Sequence, residues 1–146
     1  MGEYKGHHLT ADEVEKKLKR MYWMQMEEAA KERKLKEMET QATHITASFS
    51  ATRTSNMPTS KVENYAVNSY ELVMDIEEML QKLRKEQKEC NELIELLDDP
   101  RLKAILTDYH CNGIKLSKIE KIYHYSRSQI HVLRKKAYQE ISNKTQ

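Results

Sequence analysis

From Ser126 to Lys136 the chain reads SRSQIHVLRKK, a run of hydrogen-bonding and cationic side chains at helical spacing. Arg127, Ser128, Gln129 and His131 are types that donate to or accept from base edges, Arg favouring guanine. Lys115, Lys118, Ser126, Lys135 and Lys136 suit phosphate oxygens, which position a protein without reading sequence. The chemistry these residues imply is binding of a polyanion, double-stranded DNA above all. Charge is segregated the same way: residues 1–99 hold 15 Lys+Arg against 20 Asp+Glu, and residues 100–146 hold 10 against 3. A net of −5 therefore precedes a net of +7, which confines phosphate contacts to the C-terminal third.

No other constellation carries chemistry. The pairs Glu77/Glu78 and Asp98/Asp99 fall on a helix face and at a cap, where carboxylates are solvated rather than poised for acid–base work. His110-Cys111, His124 and His131 match no zinc-ligand spacing. Gly113 reads as a lone helix terminator, with no glycine-rich phosphate loop around it. The expectation is a non-enzyme with no metal and no cofactor. Cys90 and Cys111 follow no secretory pattern, so a reducing cytoplasm is expected. The opening MGEYKGHHLT lacks an apolar signal core, and Gly6 stands where a myristoylation motif needs Ser or Thr. No apolar run reaches 18 residues, so no membrane span is expected.

The elements that must position the basic run are helices. Only 38% of residues are hydrophobic, 33% are charged, and there are just 3 Gly and 2 Pro, a composition for long amphipathic helices. An all-α protein is expected: a long helical hairpin or coiled-coil stem over residues 10–97, after a flexible 1–9, then a helix-turn-helix domain over 98–146. Thr10 and Glu13 form a capping box for a helix reaching about Glu39. Its stripe is Val14, Leu18, Met21, Met24, Leu35 and Met38, interrupted at Glu28 and Lys31. Residues 40–60 are dense in Ser and Thr and include Pro58, so they read as a linker.

Residues 62–97 repeat every seven: Ile76, Leu83, Cys90 and Leu97 on one register, Leu72, Met79, Glu86 and Leu93 on the other. This seam is buried either by the first helix folding back or by a second copy. The interruptions at Glu28 and Lys31 favour a homodimer through Ile76, Met79, Leu83 and Leu93, with Cys90 among them. Asp99 caps and Pro100 opens a helix over 100–111 that buries Leu102, Ile105, Leu106 and Tyr109. A helix over 116–123, the turn His124-Tyr125 and a helix capped by Ser126 follow. Ile119, Ile122 and Tyr123 should pack on Ile130, Leu133, Ala137 and Ile141.

Gly113, Ile119, Tyr125-Ser126, Gln129-Ile130 and Ala137 together resemble the helix-turn-helix of sigma-factor region 4. The order of parts over residues 10–141, with Leu96-Leu97-Asp98-Asp99-Pro100-Arg101 ahead of that module, is similar to phage transcriptional regulators of the RinA/ArpU kind. The sequence departs from the pattern at Glu120, where a small Ala usually packs, and at His124, where Gly usually turns the chain. The resemblance implies a phage or prophage regulator of late-gene transcription, acting on double-stranded DNA in a bacterial cytoplasm, with RNA polymerase as a further partner. Two other readings remain open: a small terminase subunit that recognises DNA for packaging, and a phage adaptor or inhibitor that works by protein contact.

Overall fold

The computed structural model describes residues 4, 6–52 and 59–146, with side chains described at 4, 6–43, 64 and 66–146. Every regular element among the described residues is helical. The helices are α1 (Ala11–Thr52), α2 (Thr59–Glu95), α3 (Pro100–Leu106), α4 (Leu116–Tyr123) and α5 (Arg127–Lys144), with a π-helical turn, Thr107–Cys111, following α3. The protein is all-α.

The Ser/Thr stretch is more helical than its composition predicts. α1 continues to Thr52, so residues 40–52 are helix and not linker. Hydroxyls that could compete with the backbone instead join it: Thr40 Oγ1 donates to Lys36 O at 3.0 Å and Thr43 Oγ1 to Glu39 O at 2.9 Å. Residues 53–58, with Pro58, lie outside the described residues.

The chain divides into two compact units, Met1–Met24 with Leu83–Gln146, and Gln25–Lys82. The first unit thus takes in both ends of the expected stem, so the expected boundary at residue 98 does not separate a module. The reason is a shared core. Val14, Leu18 and Met21 of α1 bury against Cys90, Leu93, Ile94 and Leu97, and with Leu102, Leu106, Ala137, Tyr138 and Ile141 of the later helices. Each fully buried Leu or Ile contributes about 1.5–3 kcal/mol.

Within this unit α1 and α2 run antiparallel, since Lys17 faces Glu89 and Arg20 faces Glu86. Lys17 Nζ lies 2.6 Å from Glu89 Oε2 and 3.2 Å from Glu86 Oε1; Arg20 Nη2 lies 2.9 Å from Glu86 Oε2. Burial opposes the charge on Lys17, but hydrogen bonds to Glu89 and Glu86 outweigh it and raise its pKa. The partner Glu89 is held below its ordinary value, first by its hydrogen bond from Lys17. Glu86 is the polar member of the heptad seam, and these two cations explain why it is there.

Part of the expected dimer seam faces the chain's own first helix. Leu93 and Cys90 are fully buried against the chain's own α1, and Leu83 is buried too. The stripe Val14–Leu18–Met21 is unbroken where it meets them, so neither is free for a second copy. In the second unit Leu72 and Ile76 are buried and Met79 is half-buried. Glu28 does not interrupt that unit's apolar face by solvation. It is only 9% exposed, and burial followed by the neighbouring Glu32 raises its pKa.

The last two residues of the segment 1–9 are hydrogen-bonded to Thr145. Leu9 N–H donates to Thr145 Oγ1 at 3.0 Å, and His8 Nδ1 lies 3.2 Å from the same oxygen. This clip ties the entry to α1 to the end of α5.

Candidate nucleic-acid interface

Local devices set the ends of the three C-terminal helices, apart from the start of α4, where Lys115 makes no side-chain cap. Asp99 accepts from Arg101 N–H at 2.9 Å and Pro100 takes the first helical position of α3. The π turn closes with Asn112 N–H on Thr107 O at 3.0 Å, and Gly113 reverses the chain at φ 63°. His124 ends α4 in the left-handed region, φ 58° and ψ 38°, so it does the work expected of Gly. Two residues on, Ser126 and Gln129 form a complete capping box: Ser126 Oγ accepts from Gln129 N–H at 3.2 Å, and Gln129 Oε1 accepts from Ser126 N–H at 2.8 Å.

α4 and α5 pack through Ile119 and Ile130, both fully buried together with Ile105. Tyr123 adds a hydrogen bond to Asp108; burial first, then that bond, pushes the phenol up to about 12. Ile122 is a correction: it is 46% exposed and does not join the packing face. In an eight-residue helix the buried face follows Leu116, Ile119 and Tyr123, and Ile122 falls beside it. Leu133 is half-buried, while Ala137 and Ile141 are fully buried.

The opposite face of α5 is solvated from its first turn. Arg127, Ser128, Gln129, His131, Lys135 and Lys136 are all exposed, as are Ser126, Lys115 and Lys118. Val132 lies among them, 63% exposed. The nine expected contact residues therefore sit on α4, its approach, and the outer face of α5. Two have part of their capacity committed. Gln129 Oε1 is engaged in the cap, leaving its Nε2 group for any base edge, and Ser126 Oγ already accepts one bond. Arg127 Nη2 stands 4.0 Å from Glu120, so the departure at Glu120 places a carboxylate beside the helix start rather than a gap. Arg101 donates to Asp99 Oδ2 at 3.0 Å and to Tyr125 OH at 3.1 Å. It borders a groove of about 320 Å3 alongside Tyr125, Ser128 and Val132.

What holds α5 in place was not expected. Arg134 is 7% exposed and points inward, donating from Nε and Nη2 to Tyr138 OH at 3.2 and 3.0 Å. Its guanidinium stacks 3.9 Å from the centre of the Tyr109 ring, and Glu15 lies 4.0 Å away. The Tyr138 hydroxyl also meets His110 Nε2 at 2.7 Å. With Arg134 supplying protons to that oxygen, Tyr138 donates and His110 accepts as a neutral imidazole. Burial first, then the Arg134 charge, lowers the His110 pKa to about 3. Burial pushes Tyr138 up to about 12. The signal in the sequence was position: Arg134 falls on the stripe 130–133–137–141, where a cation must either snorkel or find partners.

Among the described residues, no cluster of His, Cys, Asp and Glu could hold a metal ion, and no helix is long and apolar enough to cross a membrane. Comparison of the chain with protein-family models, with curated proteins and with solved structures gives no match.

Proposed function

We propose that the chain is a DNA-binding transcriptional regulator of phage type, with α5 as its recognition helix, working in a bacterial cytoplasm. The observation that carries this reading is the two-sidedness of α5. One face buries Ile130, Arg134, Ala137 and Ile141, and the other exposes Arg127, Ser128, His131, Lys135 and Lys136 from the first turn onward. A recognition helix reads bases mainly from its N-terminal turns, where these residues begin. Arg127, Ser128, His131 and the amide of Gln129 read base edges; Lys115, Lys118, Ser126, Lys135 and Lys136 hold phosphates. RNA polymerase is the further partner of a regulator of this type. A homodimer would present two such helices to half-sites roughly 34 Å apart, and it would use surfaces other than Leu93 and Cys90. Sedimentation equilibrium of the full chain tests it.

The test of the reading is salt. Four lysine–phosphate contacts give a slope near −3.6 in a plot of log affinity against log salt, so affinity of the full chain for duplex DNA should fall about a hundredfold from roughly 50 to 200 mM. Arg127→Ala should relax sequence preference, whereas Lys136→Ala weakens all sequences alike. Affinity indifferent to salt refutes the reading and favours the adaptor alternative, for which the exposed Ile122 and Val132 would be the contact.

A further inference from the structure

A cleft of about 400 Å3 opens beside α1, bounded by the π-helical turn and the loop that leads into α4. Three aromatic rings line it, Tyr22, Trp23 and Tyr109. Trp23 is 67% exposed, and its ring meets Tyr22 edge-on with centroids 5.6 Å apart. An indole left in water beside a concave aromatic wall is a surface awaiting a flat partner. Gly113 helps keep the wall open: a Cβ at this position would lie 3.0 Å from Tyr22 Cε2.

The cleft is also positively biased. Lys19 and Lys115 reach it from opposite sides. Lys19 shares its charge with Glu15 at 2.9 Å, but Lys115 is exposed and forms no ion pair among the described residues. Behind Tyr109 lies the buried guanidinium of Arg134, whose nearest carboxylate is 4.0 Å away. His110, also at the cleft, is held neutral by burial and by that same cation, so it adds no opposing or reinforcing charge.

Flat aromatic walls and an unpaired cation suit a planar ring that carries an anionic group. The volume lies near the lower end of the about 300–1,000 Å3 typical of small-ligand sites, enough for one nucleotide and too little for two. We propose that this cleft binds a nucleoside monophosphate, its base against Tyr22, Trp23 and Tyr109 and its phosphate on Lys115. Stacking tolerates every base, and the lining offers few groups to read base edges, so binding should be indifferent to base identity. The cleft lies apart from the outer face of α5 but shares Lys115 with the proposed phosphate contacts; it is tested without DNA, so its failure leaves the DNA reading standing.

Trp23 is the only tryptophan, which makes the test direct. The full chain is titrated with AMP, GMP and CMP while Trp23 emission is followed, with adenosine, inorganic phosphate and an acidic tyrosine-containing peptide in parallel. Expected is saturable quenching by all three nucleotides below about 1 mM, with adenosine weaker by about tenfold. Lys115→Gln should weaken AMP about tenfold while leaving adenosine unchanged. Trp23→Phe, read by calorimetry, should weaken AMP and adenosine together. Absence of saturable nucleotide quenching overturns the proposal. So does phosphate binding as tightly as AMP, or binding of the peptide in place of the nucleotides.

Discussion

Replacing Tyr138 by Phe removes one oxygen and nothing else, yet that oxygen is the hub of the α5 anchor. It accepts from Arg134 at 3.2 and 3.0 Å and lies 2.7 Å from His110 Nε2, with all three residues buried. The variant leaves two N–H groups of a buried guanidinium without their shared acceptor and a buried imidazole without its donor. Hydrogen bonds to charged groups contribute about 1.5–3 kcal/mol and a neutral one about 1 kcal/mol; with the two Arg134 contacts on one oxygen counted as a single charged bond, Tyr138→Phe should cost about 2.5–4 kcal/mol. The lower end applies because Arg134 keeps its stacking on Tyr109, 3.9 Å from the ring centre. Urea unfolding of the full chain, followed by Trp23 emission, measures the loss. The double variant Tyr138→Phe/Arg134→Met should recover part of it, since removing both partners leaves less unsatisfied than removing one. A single variant within about 0.5 kcal/mol of the parent, or a double variant no better than the single, would refute this account.

Three further outcomes follow from the same geometry. His110 stays neutral in the folded chain down to about pH 3, whereas its ordinary value is 6.5. The unfolded state therefore binds more protons between those values, and stability should fall as pH drops below 6.5, by up to about 1.4 kcal/mol per unit from this group; denaturation at stepped pH should show His110→Gln flattening that slope. His124 holds a left-handed backbone that costs an L-residue about 1–2 kcal/mol, so His124→Gly should raise stability by about 0.5–1 kcal/mol after the glycine's own entropy, read as a higher urea midpoint. Glu86→Gln strips the partner from Arg20 and one partner from Lys17; with Arg20 largely exposed the cost should be about 1–2 kcal/mol, and calorimetric melting at matched pH would expose a smaller one.

The caps made α3, α4 and α5 legible. Asp99-Pro100, Gly113 and the Ser126 N-cap are local devices whose chemistry is complete within four residues, and each stands where its sequence places it; the reciprocal bond from Gln129 came with the structure. The outer face of α5 was legible for the same reason, since helical spacing alone separates Ile130 and Ala137 from His131 and Lys135. Partners far apart in sequence were harder. Whether Leu93 meets Val14 or another copy depends on which apolar stripe closes over it, and both stripes look alike in composition. Glu28 and Glu86 look like breaks in a seam until burial and the cations opposite Glu86 are known. Arg134 belonged by type to the phosphate-binding set, and only its place on the buried stripe marked it otherwise. The aromatic cleft joins residues 22 and 23 to 109, a pairing no local pattern reveals. Residues 40–52 misled because hydroxyls that cap in one setting bond back along a helix in another.

The clip between Leu9 and Thr145 bears on how the molecule is made. The first unit is discontinuous, its opening segment parted from the remainder by Gln25–Lys82. A ribosome delivering about 5–20 residues per second would expose Val14, Leu18 and Met21 for several seconds before Cys90 and Leu93 emerge to cover them, and Thr145 arrives later still. Throughout that interval the apolar start of α1 is open to chaperones or to a neighbouring nascent chain. Slow translation through residues 25–82 should therefore lower the yield of folded protein more than slow translation elsewhere.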